Sequence, residues 1–219
     1  MVTSLDIDRV VQRLTEAYEN FREPIVTAMA RREPNPFKAL VATLLSLRTR
    51  DEQTHAAAER LFARAETPAA TLLLSAAEIA ELIYPVGFYR VKAARILEVC
   101  AILVAKYGGE VPAELDELLA LPGVGRKTAN LVLTRGHLLP GICVDTHVHR
   151  ISNRLGYVAT QNPDETEMVL RQKLPAEYWI IWNDLLVAYG QNLCTPLSPW
   201  CSKCVVAEQC LRIGVERSR

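Results

Sequence analysis

The chain has 219 residues, half of them hydrophobic and 23% charged, which suffices for one large domain or two small domains with a buried core. Basic and acidic side chains balance at 25 each, so the net charge favours no partner, and nucleic-acid binding would depend on a local patch. The start, MVTSLDIDRV, lacks the apolar run of a signal peptide, and no apolar stretch is long enough to span a bilayer. We expect a soluble intracellular protein, in which six cysteines need a role other than disulfides.

Apolar residues recur at helical intervals along almost the whole chain, and no sustained alternation indicates a strand. The stretch SAAEIAELI begins with Ser75 and Glu78 in the positions of a capping box. The next helix, AARILEVCAILVAKYGG, ends at the glycine pair 108–109. Further along, NPDETEMVLRQKL offers Asn162 as N-cap and Pro163 as first helical residue. We predict an all-α protein of about ten short helices joined by short loops.

A tight turn, Leu121 to Gly125, joins two of these helices. AELDELLALPG gives the first helix, and GRKTANLVLTRG gives the second, which ends at Gly136. So short a connection is expected to need Gly123 and Gly125 for positive φ angles. The simplest interpretation of this turn is a helical corner.

The same turn has the features of a phosphate site, because helix N-termini carry unpaired N–H groups and glycines let an anion approach closely. From Leu121 to Arg154 the chain has five basic side chains against one acid, a net charge of plus four. These basic residues are Arg126, Lys127, Arg135, Arg150 and Arg154, and the acid is Asp145. We therefore expect positive charge to be concentrated beside the turn.

Lys127 has two interpretations. A charged ammonium would grip a phosphate, whereas a neutral amine would be a nucleophile. Its place in the first turn of a helix, near the positive end of the dipole, favours the neutral amine, and partial desolvation would favour it further. Its position alone does not decide between them.

The stretch CVDTHVHRISNRLG starts a helix with Asp145 as its N-cap and ends at Gly156. The apolar residues on one face of this helix are Val148, Ile151 and Leu155. His147 and His149 follow the aspartate closely, and we interpret both as packing or hydrogen-bonding residues.

A segment near the end of the chain has the spacing C-x6-C-x2-C-x5-C. Its cysteines are Cys194, Cys201, Cys204 and Cys210. Four thiols within so few residues predict a metal site, and their spacing alone leaves zinc and a [4Fe-4S] cluster both open. Cys100 and Cys143 lie outside this group and are expected in the core.

The motifs LPGVGRKTANLVL and VDTHVHRISNRLG together resemble the helix-hairpin-helix DNA glycosylases, specifically the endonuclease III family. IYPVGFYRVKAARI and the cysteine segment are also similar, so the resemblance runs from about Pro36 to Cys210. It implies two helical domains with the active site in the cleft between them. Residues 29–139 would form a six-helix barrel with the hairpin, and residues 1–28 and 140–219 an iron–sulfur cluster domain.

The resemblance also implies the chemistry of a bifunctional DNA glycosylase and AP lyase of base excision repair. Lys127 would be the nucleophile, and Asp145 would stabilise charge on the sugar and assist proton transfer. The four cysteines would hold a [4Fe-4S] cluster with a structural role. The partner would be double-stranded DNA with damaged pyrimidines or abasic sites, bound by a cytoplasmic, nucleoid-associated monomer.

The DNA contacts implied are those of the turn, the gap left by a flipped base, and the cysteine segment. They are Gly123, Gly125, Arg126, Arg48, Phe88 and Lys203. Arg48 stands where the family usually has a glutamine that fills this gap, and Phe88 would be the apolar wedge. Between the first two cysteines TPLSPW has no charge, and we expect Leu197 and Trp200 to be packed.

Two other functions stay open. A mismatch-specific monofunctional glycosylase of the same superfamily would need a catalytic glutamate within PFKALVATLLSLRTR, which has none. A non-catalytic DNA-binding protein would need neither Lys127 nor Asp145.

Overall fold

A computed structural model of the chain describes residues 5–18, 21 and 34–219. The described residues form helices and loops with no strand, so the all-α prediction is confirmed. They divide into two compact units, one containing residues 34–141 and the other residues 5–18, 21 and 142–219. The domain boundary expected between residues 28 and 29 lies outside the described residues. None of the described helices combines the length and hydropathy that a membrane span requires.

The described residues contain eleven α-helices, close to the predicted number. In chain order they are α1 (Ile7–Tyr18), α2 (Pro36–Ser46), α3 (Asp51–Arg64), α4 (Pro68–Thr71), α5 (Ala76–Ile83), α6 (Tyr89–Tyr107), α7 (Leu115–Leu119), α8 (Arg126–Leu131), α9 (Thr146–Arg154), α10 (Pro163–Lys173) and α11 (Trp179–Asn192). A π-helical segment, Val132–Gly136, continues α8, and two 3-10 turns span Ala176–Tyr178 and Cys201–Lys203.

The helix ends predicted from local signals are confirmed. The Ser75 hydroxyl accepts from the Glu78 N–H at 3.2 Å, while the Glu78 carboxylate accepts from the Ser75 N–H at 2.8 Å, which completes the capping box of α5. Asn162 caps α10 with Pro163 in its first turn. Gly108 ends α6 in the left-handed conformation, with φ of 63°.

Each unit has its own hydrophobic core. In the unit of residues 34–141, α2 is buried almost all round and packs on α3, α6, α8 and the π-helical segment. Cys100 of α6 is fully buried in this core, as predicted. In the other unit the core surrounds Trp182 and Tyr189 of α11, against which α1, α9 and α10 contribute apolar faces.

The continuous helix predicted up to Gly136 changes character at Val132. The His137 N–H donates to the Val132 carbonyl at 3.1 Å, a bond across five residues. A Cβ on Gly136 would lie 2.5 Å from the Cα of Pro36, so this end of the helix lies directly on the start of α2. The wider turn therefore occurs where this helix packs closely on α2, which helical periodicity alone does not reveal.

Candidate active site and cysteine site

The turn before α8 uses its two glycines differently. Gly123 has φ of 78°, as expected. Gly125 is the N-cap of α8 with φ of −96°, so the expectation of a positive φ there is wrong. A Cβ on Gly125 would meet nothing within 4 Å. The space above the first turn of α8 is therefore open to a ligand on the side of Gly125.

The first turn of α8 carries Arg126 and Lys127 and no acidic residue, and no side chain caps it. Lys127 is exposed. A helix N-terminus with basic side chains and no acidic residue in its first turn favours an anionic partner.

Three of the five basic residues counted around the turn in the sequence are used inside the fold. Arg135 is buried in the π-helical segment. Arg150 donates to the carbonyls of Gly190 at 3.3 Å and Cys194 at 2.8 Å. Arg154 is buried and donates to the Thr195 carbonyl at 2.8 Å and the Cys194 sulfur at 3.3 Å. These contacts bind α9 to the cysteine segment.

Three of the predicted DNA-contacting residues share one pocket of about 330 Å³. Arg48, Phe88 and Gly123 line it together with the basic residues Lys92 and Arg95. Phe88 is 63% exposed, and the Arg48 guanidinium carbon lies 6.0 Å from its ring centroid. Burial lowers the pKa of the Lys92 ammonium to about 8. Nothing in the sequence marks Lys92 as functional, because a lone lysine on a helix carries no recognisable signal.

Asp145 is the N-cap of α9, as predicted. Its Oδ1 accepts from the N–H groups of His147 at 2.8 Å and Val148 at 2.9 Å. The His147 ring lies against Gly190, so closely that an added Cβ there would collide with the ring. His149 Nδ1 lies 2.7 Å from the Thr166 hydroxyl. Both histidines therefore have packing or hydrogen-bonding roles within their own unit.

The four cysteines of the segment are free thiols that line one cavity. Burial raises the pKa of Cys204 to about 11 and raises that of Cys210 as well, with the neighbouring thiolates adding to both shifts. Among the described residues, no three His, Cys, Asp or Glu side chains converge as ligands of a single ion. Four thiols around one cavity are a donor set that suits both zinc and a [4Fe-4S] cluster.

The loop between the first two cysteines differs from expectation. Leu197 is 92% exposed, so its predicted packing is wrong. Trp200 is half-buried between two cations, the Lys203 ammonium at 4.7 Å and the Arg219 guanidinium at 4.3 Å from the ring centroid. Arg219 also donates to the Ser198 carbonyl at 3.0 Å. The loop has no charge of its own, but the fold places two cations beside it.

Comparison with known proteins places this geometry in a family. The profile of the HhH-GPD superfamily base excision DNA repair proteins matches residues 41–176. Endonuclease III of Thermotoga maritima is 49% identical over 82% of this chain and 84% of its own length. The chloroplastic endonuclease III homolog 2 of Arabidopsis thaliana is 48% identical over 80% of this chain. The matched region covers 47% of that longer protein. A trapped covalent endonuclease III–DNA intermediate, in an estranged-adenine complex, superposes with a TM-score of 0.83 at 35% identity over 96% of both chains.

The all-helical fold and the glycine turn before α8 are those of a helix-hairpin-helix DNA repair protein. The chain belongs to the HhH-GPD superfamily and, within it, to the endonuclease III family. It is therefore a DNA glycosylase of base excision repair, as the resemblance of its motifs implied.

Proposed function

We propose that the protein is a bifunctional glycosylase and AP lyase that removes oxidised pyrimidines through a Schiff base on Lys127. The observation that carries the proposal is an exposed lysine in the first turn of α8, directly after an uncapped glycine turn. The similarity to an endonuclease III trapped covalently on DNA supports a nucleophile in the same fold.

In the proposed reaction the damaged nucleotide leaves the base stack, because its C1′ is inaccessible within a duplex. The Lys127 amine bonds to C1′ as the bond from C1′ to the base breaks, and the departing base takes the electron pair and a proton. The substituted amine passes one proton to Asp145, which delivers it to O4′ as the sugar ring opens, and the nitrogen keeps its other proton in a cationic Schiff base. Loss of a proton from C2′ then expels the 3′ phosphate, and water releases Lys127.

Lys127 must be neutral to attack. Because the side chain is exposed in the protein alone, bound DNA would provide the desolvation, together with the positive end of the α8 dipole. Asp145 would balance positive charge on the sugar and accept protons from the amine. Its backbone hydrogen bonds fix the position of the carboxylate, since the same oxygen caps α9.

DNA binding is proposed to use the turn and the shared pocket. Gly123, Gly125 and Arg126 would hold a backbone phosphate, and Phe88 would enter the base stack as a wedge. Arg48 would contact the orphan base opposite the lesion, where its guanidinium donates hydrogen bonds but cannot accept them, unlike a glutamine amide. Lys203 would contact the backbone from the cysteine segment. We propose that the protein acts as a monomer on the nucleoid.

Cys194, Cys201, Cys204 and Cys210 would hold a [4Fe-4S] cluster. The cluster would supply structural cross-linking of the segment when bound. The Arg154 guanidinium, which donates to the Cys194 sulfur, would stabilise a thiolate there.

The test is covalent trapping with borohydride on a duplex that carries thymine glycol or an abasic site. Wild type should be trapped, and Lys127→Ala should lose the trapped product while it still binds the duplex. Lys106→Ala is the matched control, because Lys106 is an exposed lysine with no proposed role. Strong trapping by Lys127→Ala would place the nucleophile elsewhere.

Asp145→Asn separates chemistry from folding. Asparagine is as good an N-cap as aspartate, so the variant should keep α9 and its DNA affinity. Base release should fall by at least about a hundredfold, since a fixed charge at the reacting centre is lost. Base release at the wild-type rate would remove Asp145 from the mechanism.

A further inference from the structure

The loop after α2, which carries Arg48, is held by a lysine from another helix. The Lys92 ammonium of α6 donates to the carbonyls of Leu45 at 2.7 Å and Leu47 at 2.6 Å, and to the Thr49 hydroxyl at 3.0 Å. An ammonium has three donors, and these bonds use all of them. Because α2 has no basic residue in its last turn, Lys92 supplies the positive charge that the C-terminal end of a helix favours.

Thr49 links this loop to the loop that carries Phe88. Its hydroxyl donates to the Leu47 carbonyl at 3.3 Å and accepts from Lys92 and from the Gly87 N–H, the latter at 3.2 Å. The one donor and both acceptor positions of the Thr49 hydroxyl are therefore used, so every hydrogen-bonding position of this hydroxyl is satisfied. A Cβ on Gly87 would lie 2.8 Å from the Arg48 carbonyl oxygen, which shows how closely the two loops meet.

This network surrounds two strained residues. Arg48 and Phe88 both adopt left-handed backbone conformations, with φ of 54° and 59°. Residues other than glycine keep such conformations only where their surroundings hold them. In these conformations the side chains of Arg48 and Phe88 lie together at the shared pocket.

We infer that Lys92 is a positioning residue for opposite-base selectivity, which acts by fixing the Arg48 and Phe88 loops through Thr49. The inference rests on the proposed function, in which Arg48 contacts the orphan base. Lys92 does not touch DNA in this proposal. Its contribution is the orientation of Arg48, so its loss should alter which opposite base is favoured more than it alters affinity for undamaged duplex.

The experiment measures single-turnover base release from duplexes with thymine glycol opposite each of the four bases. Lys92→Met removes every donor and keeps an unbranched side chain that is only one atom shorter. It should change the ratio of the fastest to the slowest opposite base by about fivefold, the factor that one lost hydrogen bond produces. Lys106→Met, which removes a charge from the same helix far from the loop, should leave the ratio at the wild-type value.

A double variant tests whether Lys92 acts through Arg48. If it does, Lys92→Met should have no further effect on the ratio in an Arg48→Ala background. Thr49→Val should reproduce Lys92→Met, and Thr49→Ser should restore the wild-type ratio, so the test survives if Lys92→Met folds poorly. Equal effects of Lys92→Met in both backgrounds, or an Arg48→Ala ratio like wild type, would overturn the inference. Absence of base release by wild type on every duplex would instead refute the proposed function.

Discussion

Three glycines around α8 are glycines for different physical reasons. Gly123 has a positive φ, which other residues adopt only with strain. Gly136 has an ordinary backbone, but a Cβ there would collide with Pro36. Gly125 has neither constraint among the described residues, and as the N-cap of α8 it is a residue type that this position favours. We propose that a partner, such as a backbone phosphate, also comes close to its Cα.

Two alanine substitutions separate these reasons. Gly136→Ala should lower the free energy of unfolding by about 1–3 kcal/mol, because backbone atoms must move to admit the methyl group. Gly125→Ala should unfold at the wild-type denaturant concentration and yet bind duplex DNA more weakly. Urea titration followed by a binding assay measures both effects. Normal DNA affinity of Gly125→Ala would show that no ligand atom approaches this Cα.

At the scale of elements, the sequence predicted those helix ends that depend on interactions between neighbouring residues. The capping box of α5 and the Asn162 cap of α10 depend on residues three positions apart, so the sequence reveals them. The π-helical segment and the burial of Arg154 depend on contacts with residues distant along the chain. For the same reason a charge count does not distinguish an arginine that binds carbonyls from one that faces a ligand.

The cysteine segment is the element with the sharpest prediction. Purified protein should be yellow-brown and contain about four irons per chain. The Cys204→Ser variant should lose iron, and the unit that contains residues 142–219 should become less stable. The Cys100→Ser variant, which changes a cysteine outside the segment, should contain as much iron as wild type. Iron analysis and visible absorption measure this. A colourless protein that contains one zinc would contradict the prediction of a cluster, although the prediction of a metal site would still hold.

On the scale of the whole molecule, a chain of zero net charge has no overall attraction for a polyanion, so binding depends on where its cations lie. Arg150 and Arg154 donate to internal carbonyls, so the proposed phosphate contacts depend on other cations, such as Arg126 and Lys203. Each phosphate neutralised contributes about 0.9 to the slope of log affinity against log salt. The slope should therefore be small for this protein, and a single added cation should be measurable.

Leu197→Arg tests whether the cysteine-segment loop faces DNA. Leu197 is almost fully exposed, so arginine should be accommodated and should steepen the salt slope by up to about one unit. Leu73→Arg is the matched control, since Leu73 is similarly exposed in the other unit. The measurement is a salt titration of binding to a duplex with an uncleavable abasic analogue. Equal slopes for the two variants would mean that the loop does not approach the backbone.

Trp200 gives the protein an internal optical reporter. Its indole borders the cavity of the four cysteines and is held between Lys203 and Arg219. Iron–sulfur clusters absorb broadly across the wavelengths at which indole emits, so a bound cluster would quench this fluorophore by energy transfer. Oxidative loss of the cluster could then be followed in real time as a rise in emission, without a label.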